Sequence, residues 1–210
     1  MNNEPKTSYV CRKKFTHIYQ FKIGLKDTRP PVWRRIQVPE VYSFWDFHVA
    51  IQDAMGWQDC HLHEWLLKDQ DTGDVAYLGI WPAEFEDEPE VIMDWEVYIK
   101  ILSKSPELSL DYKYDFGDGW QHIIFFEGRF PRNPDKKYPC CIEGQRACPP
   151  EDVGGPWGYQ DFLKAMEDKD HPRHVELIHW CGKVFDPDIF SPENVKFWNP
   201  QKRLKMAFQE

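Results

Sequence analysis

No stretch of this chain approaches the ~20 consecutive apolar residues that cross a bilayer as a helix. Nothing in residues 1–15 has the apolar core of a secretory signal. A cytoplasmic location with no membrane partner is the expectation. Positive charge is also scarce. Lys and Arg number 26 against 35 Asp and Glu, a formal net charge of −9. Non-specific grip on duplex DNA needs cations to neutralise phosphates, so this balance counts against nucleic acid as a partner. The chain carries no P-loop, no dinucleotide-binding glycine fingerprint, no G-x-S-x-G elbow and no H-E-x-x-H. The cysteines at 140, 141 and 148 lack the C-x2-C spacing of zinc knuckles. There is no internal repeat and no low-complexity tract.

What is present is aromatic and apolar. Hydrophobic residues make up 41% of the 210, and aromatics 16%, with ten Trp and fourteen Phe. That composition folds, and the length suits one large domain. Six cysteines in a reducing compartment read first as small buried hydrophobes. We expect a frayed start over residues 1–15 and a single domain over 16–210.

Tyr19, Phe21, Ile23 and Leu25 alternate with mostly polar residues, the pattern of a half-buried strand. A turn at residues 27–31 leads into a second strand over 32–38. Ser43 can cap a helix whose Phe44, Phe47, Ile51 and Met55 share one face, with Gly56 to close it. Strands are expected over residues 61–67 and 75–78. Residues 84–96 are acid-rich and read as a solvated loop, and 97–102 leans towards helix. Residues 108–116 and 120–127 read as a hairpin. Residues 131–156 look irregular, with many Pro, Gly and Cys. Helices are expected over 158–168 and 172–180, with caps at Ser191 and Asn199 for later ones. The order predicts an α+β fold: a mainly antiparallel sheet built from hairpins, helices packed on it, and a helical C-terminal part.

Residues 114–122, YDFGDGWQH, are the most chemical stretch. Asp115 and Asp118 flank Gly117, which is either turn chemistry or a carboxylate pair beside His122 able to act as base or ligand. His61 and His63 are two apart, so on a strand both would face one way, and His122 could join them. Neutral imidazoles grouped like this bind zinc or iron. Cys140 with Cys148 offers a second possible metal set. The residues leave the cofactor open, with zinc one candidate for such sets. Histidines on aromatic sheets also commonly just hydrogen-bond to backbone. In the Trp33-Arg34-Arg35 run, Arg could hold phosphate, but pairing with acids is the commoner role.

Residues 31–36 (PVWRRI), 114–122 and 149–155 (PPEDVGG) together resemble the plasmid pRiA4b ORF-3-like family. So do the helix over 43–55 ahead of His61-Leu62-His63 and the ending Phe185-Asp186-Pro187-Asp188. The likeness runs from about Tyr19 to beyond Phe190. It implies a compact α+β domain found in bacteria and archaea, on plasmids, in chromosomes and beside some transposable elements. Some members carry a resolvase-like label. A serine recombinase needs an activated Ser among arginines, and a tyrosine recombinase needs Arg and His around a Tyr; neither arrangement is legible here. The matching motif residues are Asp115, Asp118, Trp120, His122, Glu151, Asp152, Gly154 and Gly155, and they form the candidate functional cluster. Three functions compete. One is a binding module for a peptide or protein partner, the leading reading. Another is a metal-assisted or acid/base hydrolase, which needs His122 and Asp115 or Asp118 in one concave pocket. The last is an accessory DNA-binding protein of mobile elements.

Overall fold

A computed structural model describes residues 8–80, 90–105, 108–182 and 185–208. Strands β1 (His17–Leu25) and β2 (Trp33–Pro39) form the opening hairpin, followed by helix α1 (Phe44–Met55). Next come β3 (His63–Asp69), β4 (Val75–Gly79) and β5 (Val91–Met93), then a 3-10 helix (Ile99–Ser103). The hairpin β6 (Leu108–Tyr114) and β7 (Trp120–Pro131) precedes β8 (Cys140–Gln145). Helices α2 (Gly155–Glu167), α3 (His174–Cys181) and α4 (Pro200–Ala207) follow, with one 3-10 turn at Pro192–Asn194. The eight strands make one sheet in the order β5-β4-β3-β6-β7-β1-β2-β8. Its neighbouring pairs are antiparallel except β4 with β5. The fold is therefore α+β with a mostly antiparallel sheet.

Alternation places Phe21, Ile23, Ile36, Val38, Trp65, Tyr112, Trp120 and His122 on the covered face. Helix α1 lies there. Its start is fixed by a capping box: the Ser43 hydroxyl accepts from the Asp46 amide, and Asp46 accepts from the Ser43 amide. Gly56 ends it at φ 94°, a left-handed conformation that costs a glycine nothing. Phe47 stacks on Trp65 at 5.4 Å between ring centres, and Phe21 meets Phe47 at 4.4 Å. Truncating Phe47 would remove about 3–5 kcal/mol of packing. The outer side of α1 is covered too. The Trp45 indole donates to the Pro200 carbonyl, and Asp53 accepts from the Trp198 amide at 2.7 Å. A helix covered on both sides explains why even its polar His48, Gln52 and Asp46 are buried.

Several expectations need correction. Of the start expected to fray, residues 1–7 lie outside the described residues, but the amides of Tyr9 and Cys11 donate to the Phe197 and Tyr138 carbonyls. Residues 84–89 of the acid-rich segment also lie outside the described residues. Within its remainder, Val91–Met93 is a strand and Asp94 is fully buried. The segment 131–156 is not wholly irregular, because β8 pairs with β2 through Trp33 to Gln37. The C-terminal part is helical only in pieces, and the cap at Ser191 opens a single 3-10 turn. Asn199 does cap α4, accepting from the amides of Gln201 and Lys202. Among the described residues no helix is long and apolar enough to cross a membrane.

Candidate functional site

Three segments, 57–62, 114–120 and 149–155, meet at one end of the sheet. The β6–β7 turn is wound tightly because Asp115 adopts φ 55° and Gly119 φ 69°. Asp115 Oδ1 accepts from the Gly117 and Asp118 amides at 3.0 and 3.2 Å, as its position in a turn requires. The Asp115 amide donates to the Leu62 carbonyl at 2.9 Å, which draws the segment before β3 alongside. Asp118 Oδ2 accepts from the Gly154 amide at 3.0 Å and clamps the third segment. Gly155, at φ 66°, lies so close to the turn that a Cβ would collide with the Asp118 carbonyl. Glu151 accepts from the Gln58 amide at 2.7 Å and from the Tyr114 hydroxyl at 3.1 Å. Burial raises the Glu151 pKa, against the pull of those donors. The Trp57 indole donates to the Pro149 carbonyl.

His61 projects into this corner. Its Nε2 lies 3.1 Å from Asp152 Oδ1 and 3.6 Å from Asp115 Oδ2. That nitrogen is enclosed, yet among the described residues it makes no hydrogen bond of good geometry. One donor atom each from His61, Asp115 and Asp152 lies within 4.8 Å of the other two, and the same holds for Cys60, His61 and Glu151. Asp152, at φ 57°, is exposed. Asp115, Asp118, Glu151, Asp152, Gly154 and Gly155 thus share one corner.

The other candidates lie elsewhere. His61 and His63 do not share a strand face, because β3 begins only at His63, opposite Tyr114. His63 turns inward and bonds Asp94 Oδ2 at 2.8 Å. Trp120 and His122 are core residues on β7. Burial pushes His122 down to about 3, against a small opposing effect of the Tyr112 backbone. A histidine closed off from solvent in this way cannot be the general base of the hydrolase reading, nor can it join His61 on a metal. Cys140 reaches towards Gln37 Oε1 at 3.8 Å, and burial raises its thiol to about 11. Burial raises Cys148 as well. Among the described residues neither cysteine falls in a group of potential metal ligands. Arg34 is buried, donating to the carbonyls of Ala54, Trp33 and Gln145, and Arg35 pairs with Glu127 and Glu143. Both are therefore committed within the protein.

Beneath the corner runs a polar array that the sequence reading missed. His48 and His63 stack at 3.5 Å between ring centres. His48 Nε2 meets Asp59 Oδ1 at 2.7 Å, and its Nδ1 meets the Tyr112 hydroxyl at 2.7 Å. The Asp59 carboxylate can only accept, so the ring proton sits on Nε2 and Nδ1 of the neutral ring accepts from the Tyr112 hydroxyl, which in turn accepts from the Gln52 amide. Burial lowers the His48 pKa and keeps this neutral form. Burial opposes the charge on Asp59, but His48 and Arg203 outweigh it and hold its carboxyl below the usual range. One signal was available: His48 and Gln52 lie one turn apart on a helix otherwise apolar on that side.

Comparison with known proteins gives a consistent picture. The family described as plasmid pRiA4b ORF-3-like protein matches residues 17–194. An uncharacterized protein, y4hQ, of Sinorhizobium fredii is 37% identical over 165 residues, 79% of this chain and 81% of that one. The crystal structure of a protein of unknown function, MM3350 from Methanosarcina mazei Go1, is similar with a TM-score of 0.79 at 36% identity, covering 88% of this chain and all of that one.

Proposed function

The chain belongs to the plasmid pRiA4b ORF-3-like family, and from that premise we propose that it is a binding module for a peptide or protein partner. The partner lies across the uncovered face of the sheet. The observation that carries this reading is the exposure of Ile123 and Phe125, at 45% and 60%, in the middle of that face. Antiparallel sheets often leave one face to water, but that face is then polar. Large apolar side chains at its centre mark an interaction surface. The register sets Lys22 beside Phe125 and Asp111 beside Ile123. Lys22 also sits over the Trp33 ring at 4.5 Å. The surface therefore offers apolar contact at the centre and charges of both signs around it, which suits an amphipathic peptide.

The test is selection from a random peptide library displayed on phage, against the wild type and the double variant Ile123→Glu, Phe125→Glu. Both side chains are exposed, so the variant should retain its fold, which circular dichroism checks. Peptides enriched on the wild type and lost on the variant support the reading. No enrichment on the wild type, or equal enrichment on both, removes it.

A further inference from the structure

We propose that His61, Asp115 and Asp152 form a binding site for a divalent first-row transition-metal ion. The site lies at the end of the sheet and uses no residue of the uncovered face. It joins three chain segments far apart in sequence: the approach to β3, the β6–β7 turn and the loop before α2. One imidazole nitrogen with two carboxylate oxygens is a borderline donor set, which suits zinc, manganese, cobalt or nickel better than an all-oxygen ion such as calcium. The two carboxylates also balance the charge of a divalent cation.

Two further observations separate this from a histidine that happens to sit near acids. Asp115 is only 5% exposed. Its Oδ1 is occupied by the turn amides, so Oδ2 is the oxygen directed at His61. In addition, His61 Nε2 is enclosed and has no hydrogen bond of good geometry among the described residues, although two carboxylate oxygens lie at 3.1 and 3.6 Å. An ordinary His–Asp hydrogen bond would have aligned the ring with one of them. Ligand atoms around an ion bound at about 2.0–2.2 Å stand roughly 3–4 Å apart, and the His61 distances to Asp152 and Asp115, 3.1 and 3.6 Å, fall in that range. Asp152 is exposed, so water can complete the coordination sphere.

Cys60 and Glu151 approach the same histidine and supply the control. Glu151 already accepts from the Gln58 amide and the Tyr114 hydroxyl, which leaves it less free to bind an ion than Asp152. The experiment is calorimetric titration of chelator-treated full-length protein with zinc chloride, repeated with His61→Gln, Asp152→Asn and Cys60→Ser. Asn tolerates the left-handed backbone at 152, and that side chain is exposed, so Asp152→Asn isolates the ligand from the fold. We expect one zinc per chain in the wild type and in Cys60→Ser. Both other variants should weaken it by at least about tenfold, the least that loss of a direct ligand should cost. Absence of zinc binding overturns the proposal. So does affinity unchanged in His61→Gln or in Asp152→Asn, or affinity lost in Cys60→Ser.

Discussion

His61 and His63 are two residues apart, and each faces an aspartate, but in opposite surroundings. His63 lies inside, bonded to Asp94 at 2.8 Å and stacked on His48 at 3.5 Å. His61 lies at the rim, where Asp152 is open to solvent and the ring nitrogen has no well-made bond among the described residues. The inner ring packs against Trp45 and Tyr112. The outer one meets a single aromatic ring among the described residues, Tyr114, edge-on at 5.9 Å. The same side-chain chemistry therefore stabilises the fold in one place and remains available to a ligand in the other.

Asp94→Ala should break the inner half of that contrast. It orphans a buried ring nitrogen that bonds a carboxylate, and should cost about 3 kcal/mol or more, read as a shift in the urea midpoint. A cost under about 1 kcal/mol would mean that the inner array does not hold the fold.

His122→Leu gives the next largest effect, through pH. Burial lowers His122 to about 3, while the unfolded chain takes up its proton near pH 6.5. Below that pH the unfolded state binds a proton that the folded state refuses, so stability falls as pH drops from about 6.5 towards 3. Between pH 7 and pH 5 the wild type should lose about 2 kcal/mol relative to His122→Leu. His48 and the carboxylates are common to both proteins and cancel. Parallel stability curves for the two proteins would contradict the burial argument.

His61→Ala should have the smallest effect on stability, within about 1 kcal/mol by the same urea measurement, because one member of its cluster is solvated. A loss as large as that of Asp94→Ala would erase the distinction between rim and interior.

Much of the architecture was legible locally. Helix α1 announced itself through Ser43, its apolar face and Gly56, since caps and periodicity act within a few residues. The hairpins β1–β2 and β6–β7 were legible for the same reason, through alternation and turn residues. Strand β8 was not. Its Cys, Gly and Glu carry no strand signal, and it becomes a strand only because β2 offers an edge. His61 and His63 were placed on one face because alternation assumes a paired strand, and pairing with β6 starts only at His63. Asp94 looked like one more solvated acid in an acidic run, and nothing near it in sequence foretells that His63 needs it.

In the candidate corner, Asp115, Asp118, Glu151, Asp152, Gly154 and Gly155 stood out by motif, and they lie together. His122 and Trp120 stood out equally and are core. Motif content cannot separate the two groups, because the same Asp-Gly-Trp-His run supplies a turn at one end and a buried strand at the other. By itself the sequence determined the helix caps, the hairpin turns and the family, each a matter of neighbouring residues or of recognisable motifs. Tertiary structure alone decided which histidine meets which carboxylate and which of them water can reach. Those pairings close over tens of residues, and burial, which sets whether a charge is tolerated, exists only once the sheet, α1 and the terminal segments have packed together.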